Sequence, residues 1–330
     1  MSGLDTIKDQ PAVRRLESLL RKKVLPHALL FTGMEGTGKF SAARMLAMAL
    51  NCRRYDSEPN HDRARPCGAC SACRKIRAGI HPDVLQIQPI RSFIRIDQIR
   101  DLIHAVSLKP YEARCRVAIV SEAHRMNPEA GNAMLKILEE PPEQTLIVLT
   151  AFQTSDLLPT IVSRCQHIRF HPIARDRLAE FLVEKHGVAS ERAQVLSAAA
   201  EGSLSRALAM RDANFEQRRN ALIDIFEDLI RGPVARRLAF AEILAVDKEM
   251  LEGSLEILKI YMRDLAVSRF QPQLIVNRDL AARIERDSRR HRLENAMRMI
   301  EAVERAQKRI RANANSRLAL EAMTLEMIDA

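Results

Sequence analysis

The sequence predicts an α/β domain built on a parallel sheet, a cysteine-bearing insertion within that domain, and a C-terminal part made of helices alone. Three observations carry this reading. Up to Phe170, short apolar runs of strand length alternate with stretches whose apolar residues recur every three or four positions. No hairpin signal joins those runs, so the strands must be linked by helical crossovers and lie parallel. Beyond Pro172 the strand pattern stops and only helical spacing continues.

Val13, Leu16, Leu19 and Leu20 mark one face of an opening helix, with Asp9 as its expected N-cap and Pro11 in its first turn. Leu29-Leu30-Phe31-Thr32 is a short buried strand that runs into the glycines of 33–38, and Leu46, Ala49 and Leu50 lie on the next helix. Val84-Leu85-Gln86-Ile87 follows as a strand, and Ile96, Ile99, Ile103 and Val106 form a helical face. Val117–Val120 and Leu146–Leu149 are two more strands flanking a helix near 128–140, and His167–Phe170 is the last strand. Three short helical patterns occupy 172–212, the last after Gly202-Ser203. From Ala213 onward Phe215–Ile230, Met250–Phe270 and Leu293–Ile310 carry helical spacing, with breaks at Gly232-Pro233 and Gln271-Pro272-Gln273. The expected domains are therefore 1–171, with an insertion at about 52–75, then a small helical lid at 172–212 and an all-helical domain at 213–330.

Composition excludes several classes. With 47% hydrophobic and 28% charged residues among 330, the chain can bury proper cores and is not disordered. It has no Trp, 10 Phe and 3 Tyr, too few aromatics for a platform on which successive bases stack. No apolar run approaches the ~20 residues of a membrane span, and Met1–Asp5 lacks the charged and apolar regions of a secretory signal, so a cytoplasmic protein without membrane contact is expected. Most of the net charge of +10 lies in residues 1–212, which points to an anionic partner there.

Gly33-Met34-Glu35-Gly36-Thr37-Gly38-Lys39 joins a strand to a helix, the context in which a G-x-x-x-x-G-K sequence cradles phosphates. Its glycines turn backbone N–H groups inward, and the helix N-terminus and Lys39 add positive charge. The next residue, however, is Phe40, where a hydroxyl would hold Mg²⁺, and Ser41 lies roughly 100° around the helix. The second acidic element has the matching defect. Where hydrolases of this type end a strand in Asp-Glu, this chain has Ser121-Glu122, so Ser121 stands in for the metal-side carboxylate while Glu122 remains. Two losses at one ion argue against hydrolysis. Nucleotide binding without turnover, and a loop kept for its shape, both fit Gly33, Gly36, Gly38 and Lys39.

Cys52, Cys67, Cys70 and Cys73 crowd into 22 residues with two-residue gaps in the C-terminal three, the spacing of a closed tetrahedral Zn²⁺ site. Four sulfurs leave no open position, so such a zinc is structural. Cys115 and Cys165 stand apart and read as small buried apolar residues.

Leu135-Lys136-Ile137-Leu138-Glu139-Glu140-Pro141-Pro142, then Leu158-Pro159-Thr160-Ile161-Val162-Ser163-Arg164-Cys165, the His27-Ala28 pair and the four inserted cysteines together resemble the AAA+ subunits of bacterial DNA polymerase clamp loaders. The likeness covers 7–212 well and the remainder as a helical collar. It implies a P-loop AAA+ sheet domain with a zinc module, a lid and an oligomerising collar. The departures at Phe40 and Ser121, and Ser205 of Gly202-Ser203-Leu204-Ser205 where the ATP-hydrolysing gamma/tau subunits carry an arginine (Arg206 comes one residue later), imply a non-hydrolysing stator. Such a subunit joins gamma/tau and delta subunits in a hetero-pentamer that loads the beta sliding clamp on primed DNA, its own clamp contact being weak or indirect. By spacing alone Arg164 caps a helix end or pairs with a carboxylate; the resemblance makes it a finger that reaches the γ-phosphate of ATP on a neighbour. Arg95 and Arg100 at the start of the Ile96–Val106 helix are either solvated or in contact with DNA phosphates. The glutamates of Leu138–Pro142 read as a structural helix end, since proline cannot continue the helix. Two other functions compete: a gamma/tau-like motor tolerating an unusual metal site, separated by an ATPase assay, and a free-standing zinc-containing DNA binder, which requires tight DNA binding by the chain alone.

Overall fold

A computed structural model describes residues 10–54, 62, 64–90, 92–211, 215–230, 232–246, 248–290, 292–311 and 314–327. It divides into two compact units, Met1–Val188 with Ala200–Ala207, and Ala189–Ala199 with Leu208–Ala330.

The first unit runs α1 (Pro11–Lys22), β1 (Ala28–Thr32), α2 (Lys39–Asn51), α3 (Ser71–Ala78), β2 (Val84–Ile87), α4 (Ile96–Ser107), β3 (Arg116–Val120), α5 (Pro128–Glu139), β4 (Thr145–Ala151), α6 (Pro159–Val162), β5 (Gln166–Arg169) and α7 (Arg175–His186). The five strands form one parallel sheet in the order β2-β3-β4-β1-β5, with Leu30 opposite Leu149 and Ala118 opposite Ile147. Every residue of β1, β3 and β4 is buried, as expected of strands covered on both faces, whereas β5 at an edge exposes His167 and Arg169. On one face Leu30, Ala118, Val120, Ile147 and Leu149 pack with Ile99, Leu102 and Val106 of α4 and Met134, Ile137 and Leu138 of α5.

The expected elements are present, with local differences. The N-cap of α1 is Gln10, not Asp9, which lies outside the described residues. The last strand ends at Arg169, and Phe170 turns inward to meet Phe31 at 5.1 Å between ring centroids. Helix α3, which the cysteine spacing gave no reason to place, buries Ala72, Cys73 and Ile76 and closes on Gly79 in the left-handed conformation. Cys165 is buried as expected, but Cys115 is only half-buried because it lies at the mouth of β3; burial pushes their thiols up to about 12 and about 11.

One buried carboxylate ties the β2 edge together. Asp83 is fully buried and accepts the N–H groups of Tyr111, Glu112 and Ala113 at 2.8–2.9 Å and Nη2 of Arg116 at 2.8 Å. Burial alone would raise its pKa, but these donors outweigh it and hold the carboxyl well below its usual range. Arg116 also donates to the carbonyls of Ala105, Leu108 and Lys109 behind α4, so the strand, the helix end and the loop share one guanidinium.

The second unit contains α8 (Ser190–Ala199), α10 (Phe215–Ile230), α11 (Val234–Val246), α12 (Lys248–Val267), α13 (Ala281–Ser288), α14 (Leu293–Arg311) and α15 (Ser316–Glu326), while α9 (Leu204–Ala209) starts in the first unit. Helix α12 packs on α10, α13 and α14. Tyr261 of α12 is fully buried, with its hydroxyl 3.1 Å from Glu227 Oε1 and 3.0 Å from Asp287 Oδ2. Among the described residues no helix is long and apolar enough to cross a membrane.

Candidate functional site

The phosphate loop leaves the end of β1 and opens α2. Gly33, Gly36 and Gly38 all take positive φ, at 142°, 74° and 93°. At Gly33 a Cβ would stand 2.4 Å from Phe170 O, and at Gly36 2.1 Å from Ser203 Oγ and 2.3 Å from Ser205 Oγ, so only glycine fits at either place. The loop's polar groups are engaged within the same unit. Thr37 is fully buried and its hydroxyl donates to Met34 O at 2.8 Å; Gln10 Nε2 donates to Thr37 O and His171 O. The ammonium of Lys39 donates to the carbonyls of Gly33 and Met34 at 2.5 and 2.6 Å. Burial lowers its pKa to about 8 against the opposing pull of Glu35 and Glu122. From the other side, Leu204 N–H donates to Gly36 O at 2.9 Å, which lays the Ser203–Ser205 turn across the loop.

The groups required for a divalent cation do not fit. Phe40 presents a ring capped by the Arg44 guanidinium, 5.7 Å from its centroid. Ser121 presents a neutral hydroxyl, buried and without a hydrogen-bond partner among the described residues. Glu122 sits in the left-handed region at φ 52°, its N–H on Thr150 Oγ1, and its carboxylate pairs with Arg125 at 2.8 Å.

The four inserted cysteines come together. Their sulfurs all lie within 4.8 Å of one another, with Cys52 and Cys73 buried. A tetrahedron of sulfurs 2.3 Å from an ion has edges of about 3.8 Å, so the cluster has the size and donor set of a four-thiolate metal site. Local N–H groups already point at the sulfurs: Cys67 N to Cys52 Sγ at 3.4 Å, Ala69 N and Cys70 N to Cys67 Sγ at 3.4 and 3.3 Å, and Cys73 N to Cys70 Sγ at 3.5 Å. Burial works against the Cys67 thiolate, yet the Cys70 and Ala69 donors bring that thiol down to about 6.

Arg164 follows the short helix α6 on the surface. Its Nη2 meets Glu139 Oε1, the last residue of α5, at 2.6 Å, and its Nη1 donates to Thr160 O at 3.0 Å. The guanidinium side chain is 35% exposed. His27 sits below, its Nε2 donating to Leu138 O at 3.2 Å and fixing the end of α5. Arg95 and Arg100 are exposed at the start of α4. Gln98 Oε1 accepts the Arg95 N–H, and Arg100 Nη1 lies 3.6 Å from Asp97. The structure thus holds the phosphate-loop residues in one place, the cysteines in a second, and Arg164 in a third.

A family model described as DNA polymerase III, delta subunit, matches residues 8–174. DNA polymerase III subunit delta' of Bacillus subtilis (strain 168) is 30% identical over 326 residues, spanning 96% of this chain and 95% of that protein. The chain belongs to the DNA polymerase III delta-subunit family. Subunit delta' of Pseudomonas aeruginosa PAO1 is 40% identical over 141 residues, 42% of this chain and 41% of its own length. Subunit tau of Escherichia coli (strain K12) is 36% identical over 215 residues, 63% of this chain but 32% of tau. In the sequence Gln10 draws no attention, Ser203 and Ser205 stand out only where relatives carry an arginine, and Glu139 only as a helix end, yet all four touch the loop or the arginine. Their contacts are long-range and leave no periodic mark; only the Gly-Ser pair at 202–203 hinted at a backbone special enough to matter.

Proposed function

We propose that this clamp-loader subunit hydrolyses no ATP itself and acts in trans, presenting Arg164 to nucleotide held by a neighbouring catalytic subunit. The observation that supports this most is the phosphate loop, where Lys39 is bound to the loop's own carbonyls while Phe40 and Ser121 occupy both metal-holding positions. A guanidinium placed at a γ-phosphate offsets charge that develops in the transferring group, a contribution on the order of 10³–10⁵ in rate. Arg164 suits this because it lies at the surface just after a short helix, and Arg can engage phosphate through two donors at once. Its neighbours would be gamma/tau and delta subunits in a hetero-pentamer acting in the cytoplasm on primed DNA, with Arg95 and Arg100 available to DNA phosphates and a weak or indirect contact with the beta clamp.

Cys52, Cys67, Cys70 and Cys73 would hold a structural zinc that closes the inserted module and leaves no coordination position for water or substrate. The deciding experiment has two arms. The isolated chain, given ATP and Mg²⁺, should show no steady-state turnover, and the reconstituted loader carrying Arg164→Ala should assemble normally but lose its DNA- and clamp-stimulated ATPase. Brisk turnover by the chain alone would instead make it a gamma/tau-like motor.

A further inference from the structure

We infer that Glu139 is a positioning residue that holds Arg164 docked on its own subunit until a neighbour's triphosphate displaces it. This rests on the reading of Arg164 as a trans-acting finger and adds a regulatory contact to it. The guanidinium does not project freely. Its Nη2 is drawn onto Glu139 Oε1 at 2.6 Å, and Nη1 lies over Thr160 O and Ser163 Oγ, at 3.0 and 3.4 Å.

The two partners are held in register by the scaffold beneath them. A Cβ on Gly131 of α5 would stand 3.0 Å from Leu158 Cδ1, so α5 packs closely on the residue that opens α6. His27 anchors Leu138, one residue before Glu139, and Pro141-Pro142 stop the helix immediately after. Glu139 therefore sits at a defined point, and at the negative end of its helix, where a carboxylate is disfavoured and a cation beside it is welcome.

The strength of the contact is what makes it exchangeable. Glu139 is 50% exposed and Arg164 35%, so water and salt screen the pair and it contributes little to folding. It joins one guanidinium nitrogen to one carboxylate oxygen. A terminal phosphate carries more charge and more acceptor oxygens than a carboxylate and offers the two-donor contact that Arg favours. Glu139 is thus a competitor weak enough to lose to ATP and near enough to keep the finger in when no nucleotide is presented.

The test uses the reconstituted loader with the full chain as wild type, Glu139→Gln, Glu139→Asp, Arg164→Ala and the double variant Glu139→Gln/Arg164→Ala. ATPase is measured against ATP concentration, with and without primed DNA and clamp. Both Glu139 variants should raise the unstimulated rate about two- to fivefold, the range that release of an exposed ion pair allows, and lower half-saturating ATP. The double variant should match Arg164→Ala alone. Unchanged kinetics in both Glu139 variants, with Arg164→Ala still impaired, would reduce the pair to charge balance at a helix end and overturn the inference while leaving the finger intact. A loss of stimulated rate in Glu139→Gln equal to that of Arg164→Ala would also overturn it, because Glu139 would then hold the engaged finger. An Arg164→Ala loader with normal ATPase would remove the finger reading itself.

Discussion

The phosphate loop and the loop that carries Arg164 are both built around a cation at a helix end, yet they treat that cation in opposite ways. Lys39 is half-buried and donates to two carbonyls of its own loop, with the Ser203–Ser205 turn laid across Gly36. Arg164 lies at the surface on one half-exposed carboxylate and one carbonyl. A buried ion must be satisfied by its own fold and is then unavailable to others; an exposed one can exchange partners at little cost. The phosphate loop keeps its lysine among its own carbonyls, while the Arg164 guanidinium is held by groups that water reaches.

The comparison can be broken most severely at Arg164. Arg164→Ala should slow ATP turnover at the interface it serves by on the order of 10³-fold while shifting the melting temperature of the isolated chain negligibly. A large drop in stability would make Arg164 a structural residue like Lys39. The reverse profile belongs to Asp83. Asp83→Ala leaves Arg116 buried without its carboxylate, so chemical denaturation should show a loss of about 3–5 kcal/mol, with no direct effect on a neighbour's ATPase.

Asp83 also sets a pH response. Its folded-state pKa lies below the unfolded value, so the stabilisation is present above about pH 4 and is lost as pH falls further. In Asp83→Asn the acid limb of the stability curve should flatten; an unchanged limb would mean other carboxylates govern it.

A smaller effect is expected from Gly36→Ala. The added methyl meets two serine hydroxyls and the Ser205 backbone N and forces a left-handed backbone, costing about 1–3 kcal/mol; pairing it with Ser203→Gly and Ser205→Gly should recover the part due to the hydroxyls. The smallest is a change of slope at Lys39. Because burial lowers its pKa to about 8, the unfolded chain binds more protons between about pH 8 and 10.5, and stability gains from rising pH across that window. The difference curve between wild type and Lys39→Met should show this gain, and a flat difference would place the ammonium in solvent.

Much of the α/β unit was legible because its signals are local. Leu29–Thr32 followed by three glycines and a lysine can only be a strand, a tight turn and a helix start, and Val117–Val120 reads as a strand buried on both faces. Phe40 and Ser121 mark departures from a cation-holding pattern that the sequence alone makes visible. The helix over Ser71–Ala78 was hidden because cysteines at three-residue spacing serve metal geometry and helical geometry alike. Glu139 could be read as a helix end but not as the partner of Arg164, since 25 residues and a whole strand separate them. In the C-terminal part, spacing gave helices but not which polar groups would be buried. Tyr261 between Glu227 and Asp287 is a tertiary fact.

Helix α2 is moored at both ends. Its first residue, Lys39, is tied to loop carbonyls; at its last residue Asn51 Oδ1 accepts the N–H groups of Arg114 and Cys115, and Cys52 follows directly in the sulfur cluster. A rod anchored in this way requires no bound phosphate to stay in place. Its position, and with it the placement of the loop and the sulfur cluster at its two ends, is set by this chain's own groups.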